Sequence, residues 1–177
     1  MEIKSKYQIE KVASKDVTRL PINHAFLIID KPADNDATTN GEGRIVATCG
    51  RALAEVPVKV GSNDVGGQVK NEALKEARRM AKKSDTFAIG LNGDCKLLDG
   101  RTYPREAINF PRTDMIWPKK EKVFSIKLDV ELLKNIADAL GADGKVSLTF
   151  YGAEDAIMVH PYLNEDDGAK GLLMPMK

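Results

Sequence analysis

Cysteine and histidine are both scarce in this chain of 177 residues, with two of each. Cys49 and Cys95 lie too far apart for a zinc-ligand pair or a disulfide framework, which points to a reducing compartment. His24 and His160 have no partner at metal-ligand spacing, so no His-x-x-x-His pattern exists. Net charge is equally scarce. Twenty-seven basic residues against 26 acidic ones leave +1, so no global field draws the chain toward nucleic acid or membrane. Any nucleic-acid surface must therefore come from local segregation of charge. No run approaches about 18 apolar residues, and the opening MEIKSKYQIEK lacks the apolar stretch of a secretory leader. Gly-rich phosphate motifs of the Walker or Gly-x-Gly-x-x-Gly type are absent. The acidic clusters Asp34-Asn35-Asp36 and Glu165-Asp166-Asp167-Gly168 lack the spacing of a calcium loop. The expectation is a cytoplasmic protein that needs no metal and no cofactor.

What is present suits a globular domain, with 42% hydrophobic and 30% charged residues. The segment before Ala25 is mixed, with Tyr7, Ile9 and Val12 compatible with a short strand. Ala25–Ile29 is rich in β-formers and ends at the turn signal Asp30-Lys31-Pro32. After a polar loop, Ile45–Thr48 and Leu53–Val60 continue an antiparallel meander. Asn71 can cap a helix that runs to about Lys83. Short strands then follow at 86–91, 95–98 and 101–108, separated by Asn-Gly and Asp-Gly turns. The linker Phe110–Pro118 precedes an alternating strand at 123–128. Asp129 caps a helix over 130–140 that Gly141 ends, and strands follow at 146–151, 156–160 and 171–176. The fold class is α+β, with a β-α-β-β-β pattern of roughly 50–60 residues occurring twice.

The first helix carries the strongest charge segregation in the chain. Ala73, Leu74, Ala77, Met80 and Ala81 share one arc of a helical wheel. Lys75, Arg78, Arg79, Lys82 and Lys83 are assigned to the opposite arc, with Glu72 and Glu76 among them. Such a face neutralises phosphates without reading bases. It is equally the composition of a solvated helix face. The second helix buries Leu132, Leu133, Ile136 and Leu140, while its exposed Glu131, Lys134, Asn135 and Asp138 are nearly neutral.

Three motifs occur in a fixed order: Thr48-Cys49-Gly50 with Arg51 and Leu53, then Phe110, Pro111 and Pro118, then Met174-Pro175-Met176. Together they resemble the bacterial DNA sliding clamp, the β-subunit type of polymerase processivity factor. In that family a strand ends in Thr-Asp-Gly, a Phe-Pro…Pro linker joins two domains, and the chain closes on Met-Pro-Met-Arg. The resemblance covers residues 22–177 and looks like the middle clamp domain joined to half of the last one. The chain would then be a reduced or phage-like relative, with a clamp-like domain at 1–118 and a second clamp-like half-domain at 119–177. Cys49 stands where the family has Asp, and the family's usual final Leu is missing.

The resemblance implies repeated β-α-β-β-β units with helices on one face of antiparallel sheets. It implies DNA contact through Lys75, Arg78, Arg79, Lys82 and Lys83. It also implies a partner-peptide pocket at Thr48, Gly50, Arg51, Leu53, Pro118, Leu172, Met174, Pro175 and Met176. Polymerases or other replication and repair proteins would dock there through short linear peptides. Edge strands that need pairing, in a chain this short, imply a cyclic homo-oligomer of roughly four to six copies. The alternative is a clamp-fold binding module that neither forms a ring nor binds DNA. A hydrolase using Cys49 as nucleophile is a third reading. No motif supports it, and the expectation is a protein without enzymatic activity.

Overall fold

The computed structural model describes residues 1–33, 40–82, 84–162 and 169–176. They fall into two units, Met1–Ile116 and Trp117–Lys177. The first is built on a six-stranded antiparallel sheet. Its strands are β1 (Glu2–Lys4), β2 (Ala25–Lys31), β3 (Gly41–Thr48), β4 (Leu53–Val60), β5 (Gly67–Val69) and, after the helix, β6 (Thr86–Ala88), in the spatial order β5-β2-β3-β4-β1-β6. The β2-β3-β4 meander is the one that the β-rich runs and the turn residues between them predict. β1 is a difference. Three residues carry too little pattern to be seen, yet they fill the slot between β4 and β6. The expected strand around Ile9 is instead a 3-10 turn, Ile9–Lys11.

The helix α1 spans Asn71–Ala81. It lies on the sheet through Ala73, Leu74 and Ala77, two of them small enough to bring helix and sheet close. Opposite them sit Leu27, Ile45, Ala47 and Val69, all fully buried. Asn71 does not cap α1 as the sequence suggests. Lys70 occupies the cap position and supplies no side-chain acceptor. The Nδ1 of His24 accepts the Asn71 N–H at 3.3 Å instead.

After α1 the strands are shorter than expected. β6 joins the sheet edge, while β7 (Cys95–Lys96) and β8 (Thr102–Tyr103) form a small hairpin of their own. The sequence extends that last strand to 108, but Arg105 ends it by turning inward. Its guanidinium donates to four backbone carbonyls: Gln68 at 2.6 Å, Leu91 and Val65 at 2.9 Å and Gly93 at 3.3 Å. Beyond it, Phe110 stacks on Phe26 with ring centroids 4.8 Å apart, which fixes the chain against β2.

The second unit is smaller. α2 (Val130–Ala139) packs over a three-stranded antiparallel sheet of β9 (Val146–Thr149), β10 (Ile157–Pro161) and β11 (Gly171–Leu173), in the order β11-β10-β9. Asp129 caps α2 as expected, its Oδ1 accepting from the N–H groups of Glu131 and Leu132. Ile157, Val159 and Leu173 form the buried centre, flanked by Leu133, Ile136 and Leu140. The alternating 123–128 segment is not a regular strand, although Ile126 and Leu128 reach the core and the Lys127 carbonyl accepts from Met176 N–H. Among the described residues, no helix is long and apolar enough to cross a membrane.

Arg105 is the largest single polar staple in the first unit. Arg105→Ala should lower the stability of that unit by about 3 kcal/mol in denaturant unfolding, because the part-buried Gln68 and Leu91 carbonyls lose a charged donor. Arg105→Lys should recover only a minor part, since one ammonium cannot span the same fork.

Candidate functional site

Each face of α1 has a separate role. Lys75, Arg79 and Lys82 are exposed. Arg79 bonds Glu76 at 2.7 Å one turn away, and Glu76 is shared with Arg101 at 3.1 Å. That hydrogen bond from Arg101, helped by Arg79, holds the Glu76 carboxyl below its ordinary range. Lys82 ends the helix with a φ of 48°, in the left-handed region, which turns the chain sharply. Lys83 lies outside the described residues.

Arg78 does not lie on the exposed arc where the helical wheel puts it. Its side chain is only 18% exposed and that of its partner Glu10 only 3%. Nη1 and Nη2 donate to the two Glu10 oxygens at 2.6 and 2.8 Å, and Nη2 also donates to the Tyr7 carbonyl at 2.8 Å. The guanidinium lies 5.4 Å from the centre of the Phe87 ring. Burial pushes the Glu10 carboxyl up, but its bonds to Arg78 and the nearby Lys75 outweigh that and hold it low. Arg78 is thus bound inward, and Lys75, Arg79 and Lys82 remain as the described cations of the free face.

The turn between β3 and β4 is closely hydrogen-bonded. Thr48, almost wholly buried, donates its hydroxyl to the Ala52 carbonyl at 2.7 Å and accepts from Gly50 N–H at 3.0 Å. Gly50 has a φ of 86°, and a Cβ there would lie 2.8 Å from Arg19 Nη2. Arg19 in turn donates to the Cys49 carbonyl at 3.1 Å. Arg51 is exposed and Leu53 half-buried. The backbone N–H groups of Arg51 and Ala52, with Arg19 near, draw the Cys49 thiol below its ordinary range. Among the described residues no hydrogen bond joins Cys49 to either histidine.

In the second unit, Pro118 is exposed. Leu172, Met174 and Met176 are 64%, 63% and 54% exposed, while Leu173 between them is buried. Alternation along an extended chain therefore sets three large apolar side chains on one open side, with Pro175 stiffening the run. The turn residues and this strip belong to different units, and each is built within its own. The acidic loops at 34–36 and 165–168 lie outside the described residues. The Arg78–Glu10 pair and the Arg105 fork escape sequence reading, because Glu10 is 68 residues from Arg78 and the carbonyls of Gln68 and Val65 are 37 and 40 residues from Arg105.

An antiparallel α+β architecture with helices laid on curled sheets defines a class, the sliding-clamp-like fold. Within it, the chain is similar to a β sliding clamp from C. crescentus, solved with polyethylene glycol bound at a proposed β-motif tethering region. Ninety-nine per cent of the chain superposes with a TM-score of 0.66 at 18% identity. The likeness is therefore one of fold. The chain spans about half of that protein, 50% of its length. No protein-family model and no curated protein matches the sequence.

Two outcomes follow from this geometry. Breaking the buried pair by Glu10→Gln or Arg78→Met should cost about 3–5 kcal/mol of stability, because the remaining partner is left buried and unmatched. For His24, burial and then Lys70 depress the ring pKa; Glu72, 4.0 Å away, opposes them but is solvent-exposed. A depressed histidine costs nothing while neutral in both folded and unfolded chains, so stability is whole above about pH 6.5 and falls below it. Thermal melts should show this loss in the wild type and a flatter profile in His24→Gln.

Proposed function

We propose that this protein is a sliding-clamp-like tether, a reduced relative of the kind a phage carries, acting in the cytoplasm without a cofactor and without catalysis. The free face of α1 contacts duplex DNA through Lys75, Arg79 and Lys82, with Lys83 continuing the same basic run in sequence. The observation that carries the reading is a cationic helix face on a clamp-type fold in a chain of net charge +1. Contacts to phosphate alone carry no sequence information, which is what movement along a duplex requires. The Thr48–Leu53 turn of the first unit and the Leu172–Met176 strip of the second are each a docking surface for short peptides of replication or repair proteins. Flexible methionines suit partners of varied shape.

A second reading is favoured by the pairing of the cations. Arg78 is consumed by Glu10, Arg79 is half-neutralised by Glu76, and the exposed side of α2 is nearly neutral. On that reading the fold serves protein contacts only. Unpaired edges β5 and β6 in the larger sheet would serve self-assembly in the first reading.

Binding to circular duplex, from which a ring cannot slip, separates the two. The wild type should bind without sequence preference and weaken with salt. Arg79→Glu with Lys82→Glu should flatten the salt slope by about two units, one for each phosphate that is no longer neutralised. An unchanged affinity and slope would support the protein-only module. Sedimentation on the same samples should show a cyclic homo-oligomer; a strict monomer would favour the module.

A further inference from the structure

We propose that the cleft between the Ile9–Lys11 turn and the start of α1 binds a nucleoside phosphate, its phosphate held by Lys11, Lys15 and Lys75 and its base laid against Tyr103. The cleft has a volume of about 930 Å³, within the range of small-ligand sites. Lys11, Lys15, Lys70 and Lys75 line it. Lys70 is engaged by Glu106 at 2.7 Å, but among the described residues the other three make no ion pair. Two acids face the same space. Glu10 is matched oxygen for nitrogen by Arg78, and Glu72 is exposed at the side. The balance of free charge in the cleft is therefore positive.

Charge alone would suit any anion. Two amides narrow the choice. Asn23, 9% exposed, lines the cleft, and its Oδ1, enclosed just beneath the surface, has no hydrogen-bond partner. Asn71 lines it too, and its Oδ1 is also unpartnered, while its Nδ2 is spent on the Asn23 carbonyl at 2.8 Å. Buried polar atoms without partners are rare and call for an explanation. A nucleoside phosphate brings both complements: an anion for the lysines, and hydroxyl or amino donors that meet the amide oxygens once the Asn23 and Asn71 side chains turn toward the cleft. Inorganic phosphate brings only the second. Tyr103 and Pro104 supply an apolar wall, and an aromatic ring accepts any base face. The N-terminus of α1 opens on the same space, adding its partial positive charge.

The chemistry is shared by a free nucleotide and by a nucleotide exposed in a single strand. Calorimetric titration of the full chain at low salt with ATP, inorganic triphosphate and a short oligothymidylate tests it. Saturable binding of ATP, of oligothymidylate or of both is expected, and which one binds assigns the source. Lys11→Ala with Lys15→Ala, both exposed, should weaken every ligand at least tenfold without changing the melting curve. Tyr103→Leu should weaken nucleotide binding about tenfold, the scale of one stacked base, and leave triphosphate unchanged. Arg79→Glu with Lys82→Glu should leave ATP binding intact, so failure here and failure of the duplex reading are separate results. No saturable binding of either nucleotide ligand would overturn the proposal. So would triphosphate that binds as tightly as ATP in both the wild type and Tyr103→Leu.

Discussion

The bidentate pair between Arg78 and Glu10 is the interaction on which the rest of the first unit depends. It joins the middle of α1 to a 3-10 turn whose own helical bonds are few and whose apolar anchor is the buried Ile9. Both side chains are largely out of water, so each would be costly alone. The pair therefore acts as a lock more than as a source of net stability. Its geometry also fixes the position of the turn beside α1 and keeps the cleft open between them. It removes one cation from the helix face and leaves Lys75 and Arg79 as separate outward charges, one turn apart.

This arrangement explains how a chain of net charge +1 presents a cationic surface at all. Acids are spent locally. Glu10 is turned inward, Glu76 bridges Arg79 and Arg101, and Glu106 meets Lys70. What remains exposed along α1 is positive apart from Glu72 at its start, so any phosphate contact it makes must weaken as ionic strength rises. The second unit has the opposite character. Its helix is nearly neutral on the outside, and its last strand ends in an open apolar strip. The two kinds of surface suit two kinds of partner, a polyanion and an apolar peptide.

Much of the architecture is legible in the sequence because it rests on local signals. The β2-β3-β4 meander follows from β-rich runs bounded by turn residues, α1 and α2 from their apolar stripes, and the start of α2 from Asp129. The rest depends on partners distant in sequence. β1 is three residues long and exists only because β4 and β6 present free edges on either side. Asn71 has the chemistry of a cap, but His24, brought from β2's approach, takes its backbone N–H and the cap shifts to Lys70. Arg78 counts as surface on a wheel that cannot show Glu10. The 123–128 segment alternates correctly, yet among the described residues only one backbone bond, from the Met176 N–H, is formed there. At the candidate surfaces, the turn around Gly50 and the exposed Leu172, Met174 and Met176 follow the local pattern, whereas the neutralisation of the cations does not.

The most direct test of the account is a map of where duplex DNA touches the first unit. Backbone and arginine side-chain resonances of the isotopically labelled full chain can be followed as a short duplex with blocked ends is added. Shifts should gather at Lys75, Arg79 and Lys82, diminish as salt is raised, and leave the Arg78 side-chain N–H signals in place because Glu10 holds them. Shifts confined to the exposed residues of β3 and β4, or a displaced Arg78 signal with α1 otherwise silent, would contradict it.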